Sequence, residues 1–591
     1  MAHYRRREFA PAQDLCRAVL AREPCHVRSL VLLGDMAQQD GRNKLAVKLL
    51  GQALELDCGD AAAHDTIALA YQALGRCDDA VRHFTQAMAA GLRDAEALVK
   101  QSAALALPLR RLAAVWPRQL GLAELLGPQG ASTLAGEALL LALLRSRIIH
   151  DIELERFLTA VRRGLLQNAI ELGSAADGDA AAFFCALAQQ CFLNEYVFAL
   201  GDFERPQLQQ VRDRVADALE AGDAVAPLDL IAAASYLPLH KLPMAPALLD
   251  RPWPDVVTLL LTEQIREPRE EASNRSSIAT LTAIDDAVSR QVQHQYEENP
   301  FPRWTTAPPI KPTTIPDYLQ AEIGAAPLSW SAAGDRADVL IAGCGTGSHS
   351  IDTARRFPET QVLAIDISRA SLGYARRKTR ALGLANIEYG QADILKVAAL
   401  GRRFDLIEAV GVLHHLADPA AAWRLLLSLL RPDGLMLVGL YSGSARRSLA
   451  AARAVIAECG YRPTADDIRA CRQELIRRGV VPPFRDFSSI SGCRDLLFNV
   501  MEHEFTIPQI AAFLDANGLT FLGFAQLPPE ARRQFRQEFF ADAAGRDLAA
   551  WHAFERRHPL TFGNMYVFWM QKRADAADGA VTPSPPASPP R

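Results

Sequence analysis

A nine-residue stretch, Val339-Leu340-Ile341-Ala342-Gly343-Cys344-Gly345-Thr346-Gly347, constrains the fold more than any other part of the chain. Its apolar half reads as a buried strand, and its second half alternates glycine with small residues. Glycine lets the backbone turn sharply and lets a ligand approach the main chain closely. A strand ending this way and feeding a helix is the opening of a βαβ unit. The rhythm that follows agrees. Strands are predicted at 338–342, 361–365, 386–389, 404–410 and 435–441, with helices at about 348–356, 368–382 and 419–430. Such alternation implies right-handed crossovers and a mostly parallel sheet covered on both faces. Two more helices are expected at 445–459 and 465–478, and a closing strand pair at 519–524 and 565–570.

Chemistry-bearing residues fall at the strand ends. Asp366 closes the second strand, 19 residues beyond Gly347, where a carboxylate can accept hydrogen bonds from both hydroxyls of an adenosine ribose. The third strand leads into Gly390-Gln391-Ala392-Asp393-Ile394, which offers edge and face contacts to an adenine ring. The fourth runs Phe404–Val410 into Gly411-Val412-Leu413-His414-His415, and Leu430-Arg431-Pro432-Asp433-Gly434 feeds the fifth. In a dinucleotide-binding Gly-x-Gly-x-x-Gly loop the third glycine falls one position later, and Ser348 stands there. A nicotinamide-dependent oxidoreductase is therefore disfavoured.

In this order these residues resemble the class I S-adenosylmethionine-dependent methyltransferases, strongly over about 338–442. The resemblance implies an α/β Rossmann-like domain with S-adenosylmethionine as cofactor. It assigns Gly343, Cys344, Gly345, Thr346 and Gly347 to the loop under the methionine part, Asp366 to the ribose, Asp393 and Ile394 to adenine, and Val410 and Gly411 to the carboxypropyl and methyl end, with Ile367 also among the cofactor-binding residues. One departure stands out: the family usually carries an acid two positions before the first glycine, and this chain has Ile341. Methyl transfer from a sulfonium mainly needs positioning, and a base only when the nucleophile arrives protonated. His414 and His415 are the candidate catalytic bases, since one imidazole at the sheet's carboxyl edge can take a proton near neutral pH; packing of the loop is the competing reading. Diverging adjacent side chains leave at most one of them facing substrate. His349 is expected to touch the cofactor or cap its helix. Tyr296, Phe301, Trp304, His503 and Tyr566 are candidates for covering the site or lining a substrate wall. No metal-ligand spacing is present, so a metal-independent reaction is expected.

The N-terminal half is different in kind. Ala12, Ala46 and Ala80 are 34 residues apart, as are Cys16, Leu50 and Phe84, and Val19, Ala53 and Ala87. This register resembles the tetratricopeptide repeat, whose small residues let paired helices approach. The whole arrangement resembles bacterial tetratricopeptide-repeat methyltransferases. The expected fold is thus multidomain: helical repeats over 1–95, an all-helical middle domain over 96–292, a Pro- and aromatic-rich connector over 293–330, the methyltransferase domain over 331–573, and a disordered tail over 574–591. Pro108 and Pro117 are read as breaks between middle-domain helices.

Composition sets the outer limits. At 591 residues, about three to five domains are expected. Lys+Arg is 64 against Asp+Glu 68, a net charge of −4, which gives no global reason to bind nucleic acid or an anionic membrane. No apolar run is long enough to span a bilayer, and no apolar segment follows the basic start Met1–Arg7 at once, so the expected location is the cytosol. Ten scattered cysteines are expected to be reduced. The expected partners are an unidentified methyl acceptor and a protein or peptide held by the repeats. The competing reading is a repeat scaffold carrying a non-catalytic cofactor-binding domain.

Overall fold

The computed structural model describes residues 4, 9–91, 94–127, 130–172, 180–324, 330, 336–542 and 544–572. The tail assigned to 574–591 lies outside the described residues, as does most of the basic start. The chain forms two compact units. A helical unit gathers Met1–Ser276, Asn299–Lys311 and Ala451–Asn499; a sheet unit gathers Ser277–Glu298, Pro312–Ala450 and Val500–Arg591. The linear division drawn from the sequence therefore differs from the observed one. The connector is shared out, and 451–499 goes with the helices.

The helical unit includes, from its N-terminal side, helices Phe9–Arg22, Val27–Gln39, Asn43–Leu56, Ala61–Ala73 and Cys77–Ala89, joined by short turns. The 34-residue columns face inward except at Val19, which is exposed: Ala46, Leu50, Ala53, Ala80 and Ala87 are wholly buried, Phe84 nearly so, and Ala12 and Cys16 are buried. Gly34 shows how close the packing is, since a β-carbon there would fall 2.5 Å from Leu50 Cγ. Asp60 caps its helix by accepting from Ala63 N–H at 2.9 Å. Helix Ala103–Val115 runs through Pro108, contrary to the expected break. Helix Ala181–Leu193 has nearly every side chain buried, as a helix apolar on all sides must. Segment 451–499 belongs here because it brings Arg472, whose fully buried guanidinium holds both carboxylate oxygens of Glu155 at 2.9 and 2.7 Å.

The sheet unit contains strands β1 (Ala279–Thr280), β2 (Ala337–Ala342), β3 (Thr360–Asp366), β4 (Ile387–Gln391), β5 (Phe404–Val410), β6 (Leu430–Tyr441), β7 (Leu519–Phe524) and β8 (Met565–Lys572). Their order is β1-β4-β3-β2-β5-β6-β8-β7, parallel except for the β6–β8 and β8–β7 pairs. Helices α1 (Ser348–Arg356), α2 (Arg369–Ala381) and α3 (Pro419–Leu429) make the crossovers. Two buried apolar clusters cover opposite faces of the sheet: Leu340, Ile407, Trp423 and Phe568 lie in one, Val339, Ile341, Leu406 and Trp569 in the other. The expected helix 445–459 is broken into Gly443–Arg446, a 3-10 turn and Ala450–Cys459.

Sheet order reverses between β2 and β5. β2 leads through α1 to β3 on one side, and the chain later returns to lay β5 on the other. Such a switch point opens a crevice at the carboxyl ends of the strands, where open α/β sheets bind ligands. At the opposite strand ends Arg431 clamps Asp338 at 2.8 Å and Asp405 at 2.6 Å, and Asp405 also accepts Asp338 N–H at 2.8 Å.

Candidate active site

The loop Gly343–Gly347 leaves β2 at the switch point. Gly343 and Gly347 have φ of +75° and +86°, and a β-carbon on them would come within 2.5 Å of Val412 and 2.6 Å of Ala375. No other residue fits both the angle and the space. Gly343 and Cys344 N–H both donate to the Ile365 carbonyl, so the loop is folded against the end of β3. Burial holds the Cys344 thiol well above its usual range, so it is a neutral packing group.

Asp366 joins two loops. One carboxylate oxygen accepts Gly345 N–H and the other Ser368 N–H, each at 2.8 Å. Burial pushes its pKa up to about 6 against those two bonds, and nearby Glu297 adds to the rise. Glu297 itself accepts the N–H groups of Arg369 and Ala370 at the start of α2, at 2.5 and 3.2 Å, where an acid complements the helix end. The Tyr296 carbonyl accepts from Ser368 Oγ at 3.0 Å. Tyr296, one of the cover candidates, is thus anchored beside Asp366.

At the end of β4, Asp393 is almost wholly buried. One of its oxygens accepts Leu395 N–H at 2.9 Å, and the other has no hydrogen-bond partner. A buried carboxylate oxygen left open is costly unless something donates to it. β1, which the sequence reading missed, holds this region: Thr282 Oγ accepts Asp393 N–H at 2.8 Å, and Arg369 bonds Gln391 at 3.0 Å and Thr280 at 2.6 Å. Ile394 is buried beside Asp393, and Ile367, half-buried, accepts from Gln391 through its carbonyl. Val410 and Gly411 end β5, Gly411 with φ of +78°. The glycine loop, the Asp366 carboxylate and the open Asp393 oxygen therefore share one edge of the sheet, and their donor and acceptor set fits an adenosine with an amino-acid tail.

The departure at Ile341 has a structural counterpart. Ile341 on β2 is paired in register with Glu408 on β5, so both side chains point to the same face. Glu408 is 2% exposed; it accepts from Thr353 Oγ at 2.8 Å and lies 2.9 Å from His349 Nε2. Burial works against a charge on His349, but Glu408 more than offsets it, and the imidazole pKa stands above 6.5. His349 is therefore turned to Glu408, rather than capping its helix.

His414 and His415 lie in a 3-10 turn after β5, both buried. Contrary to the expected divergence, the rings sit 4.3 Å apart, edge to face, and both contact Tyr441; His414 stacks on it at 3.7 Å. Burial first, then His415 and Arg446, pushes the His414 pKa well below 6.5. His415 Nδ1 meets the Met501 carbonyl at 2.8 Å. These contacts match the packing reading of the pair better than a solvent-exposed base. Arg446, wholly buried, lies over Tyr441 at 3.9 Å and bonds Glu502 and Asn564. His503 donates its N–H to the His414 carbonyl. Tyr566 is not a wall of an open site: it is fully buried and its hydroxyl donates to Glu555 at 2.6 Å. Phe301 and Trp304 lie in the helical unit. Among the described residues no group of three or more His, Cys, Asp or Glu is placed to hold a metal ion, and no helix is long and apolar enough to cross a membrane.

Residues 339–434 match the family described as "Methyltransferase domain". Among curated proteins, an uncharacterized protein of Synechococcus is 29% identical over 269 residues, 42% of this chain and 63% of that protein. The trans-aconitate 2-methyltransferase of Deinococcus radiodurans is 35% identical over 102 residues, 17% of this chain and 37% of that enzyme. The chain thus spans less than two thirds of either relative's length. Among solved structures, PKMT2 of Rickettsia typhi in complex with AdoHcy aligns over 45% of this chain and 55% of that one, with 17% identity and a TM-score of 0.33. That score is too low to carry one protein's properties to the other. The matched segment spans β2 to the turn within β6, the part of the sheet that builds the crevice.

Proposed function

We propose that the protein is a class I methyltransferase that uses S-adenosylmethionine to methylate an acceptor recognised outside the matched segment. The observation that carries this is the open, buried Asp393 oxygen on the same edge as Asp366 and the Gly343–Gly347 loop. S-adenosylmethionine supplies a methyl group already activated on a sulfonium. Asp393 accepts from the adenine amino group, Asp366 from the ribose hydroxyls, and the glycine loop offers its backbone to the methionine part. Ile367, Ile394, Val410 and Gly411 supply apolar contact and space around them. Glu408 places a carboxylate in the register of Ile341 and, with His349, fixes the start of α1. The chain's main task is to align the acceptor with the methyl group and exclude water.

The paired helices of the first ninety residues are read as tetratricopeptide-like repeats, supported by the buried 34-residue columns. Such repeats present surfaces for a peptide or another chain. Incubation with methyl-labelled cofactor and a cell extract, then separation of small and large products, tests the activity. Label transfer that is lost in Asp393→Ala is the expected result. The second reading, a scaffold that binds cofactor without turnover, is favoured by the burial of His414, which makes it a weak base; it predicts cofactor binding with no label transferred.

A further inference from the structure

The tail of S-adenosylmethionine carries an ammonium and a carboxylate on one carbon. Holding it takes an anion and a cation side by side, next to the loop that carries the tail. Asp366 does not supply the anion, because it gives one oxygen to Gly345 N–H and the other to Ser368 N–H. Glu408 is placed differently. Its register partner on β2 is Ile341, two residues ahead of Gly343, so its carboxylate lies on the face covered by α1, the helix that the loop feeds. Thr353 Oγ donates to its Oε2 at 2.8 Å, and His349 Nε2 lies 2.9 Å from the same oxygen. Among the described residues nothing donates to Oε1, and Oε1 is not sealed from its surroundings. The acid therefore keeps one acceptor in reach of a ligand. The cation beside it is His349, the second residue of α1. Its Nε2 is enclosed against Glu408 while its side chain is 32% exposed, so the edge of the ring that carries Nδ1 is the one that opens outward. Burial disfavours charge on the ring, but Glu408 more than offsets it. No side chain caps the first turn of α1, whose N-cap is Gly347, and such a turn favours an anion. The other charges here have partners of their own. Arg356 lies over the Tyr318 ring at 4.5 Å, and Asp352, beside Arg355 at 3.8 Å, is held toward its neutral form by burial.

We propose that Glu408 and His349 together hold the amino-acid end of the cofactor, Glu408 Oε1 accepting from the ammonium and His349 Nδ1–H, with the first turn of α1, donating to the carboxylate. Each contact is a hydrogen bond between charged groups, the strong kind. Ile341, where the resembled family carries an acid, then leaves no charge missing, because its register partner on β5 supplies one. This role rests on the cofactor proposed above and adds to it two residues that the spacing of the glycine loop does not mark.

Calorimetry on the full chain with three nucleosides tests it. S-adenosylhomocysteine carries the whole tail, 5′-deoxy-5′-(3-aminopropylthio)adenosine keeps the ammonium without the carboxylate, and 5′-methylthioadenosine has neither. Glu408→Gln is expected to weaken the first two at least tenfold and to leave methylthioadenosine unchanged. His349→Gln is expected to weaken S-adenosylhomocysteine at least tenfold and to weaken neither of the others. Methylthioadenosine bound as in wild type shows that the adenosine part of the site is folded in each variant. Unchanged S-adenosylhomocysteine affinity in either variant, or a loss shared equally by all three nucleosides, overturns the proposal and leaves the cofactor reading standing. Wild-type protein that binds none of the three overturns the cofactor reading and the proposal with it.

Discussion

The Glu408–His349 pair makes a prediction whose sign depends on pH. Glu408→Gln keeps the shape and the acceptor for Thr353 Oγ but removes the charge facing His349 Nε2 at 2.9 Å. A hydrogen bond involving a charged group contributes about 1.5–3 kcal/mol. The His349 pKa is raised in the folded protein above its unfolded value of 6.5. Its contribution is therefore complete below 6.5 and disappears as pH rises through the higher folded value. At pH 6 the variant should lose about 1.5–3 kcal/mol, seen as roughly tenfold to a hundredfold faster hydrogen exchange of the Phe404–Val410 amides. Above the raised folded pKa the imidazole is neutral, the wild-type carboxylate is buried beside Thr353 and an uncharged ring, and the difference should shrink or reverse. Exchange corrected for intrinsic rate, followed upward from pH 6, is the assay. A loss that stays the same at every pH would show that the two groups do not form a charged pair.

Other consequences are more local. Gly347→Ala puts a β-carbon 2.6 Å from Ala375 at φ of +86°, so it should cost about 1–3 kcal/mol and abolish cofactor binding, read by denaturation and calorimetry. Arg472→Met leaves Glu155 buried without its partner and should destabilise the helical unit by about 3–5 kcal/mol, measured by hydrogen exchange within Ile152–Leu172. The Asp366 pKa of about 6 means that S-adenosylhomocysteine affinity should fall as pH drops through 6, because the protonated acid accepts less well; titration calorimetry from pH 5 to 8 should show this step in wild type and not in Asp366→Asn.

The strand and helix pattern of the sheet unit was legible because each element announces itself locally. The predicted strands 404–410 and 519–524 coincide with β5 and β7, and helix Ser348–Arg356 with α1. β1 was not legible: two residues carry no periodicity, and its role comes from Leu281 and Thr282 meeting the end of β4. The helix at 465–478 was read correctly, but an amphipathic pattern does not say which core its apolar face will enter; the Arg472–Glu155 pair decides that. Glycines and strand-end carboxylates were visible as motifs because their spacing is short. The Ile341–Glu408 register and the turn of His349 toward Glu408 were not, because they depend on how strands 67 residues apart align. Tyr566 looked like a wall residue from its neighbours in sequence, whereas burial against Glu555 makes it part of the core.

Calorimetric titration of the full chain with S-adenosylhomocysteine, beside Asp366→Ala, tests the central claim most directly. Micromolar binding in wild type that is lost in the folded variant is the predicted result. No binding in folded wild-type protein, or binding that survives the loss of Asp366, would contradict the site described here.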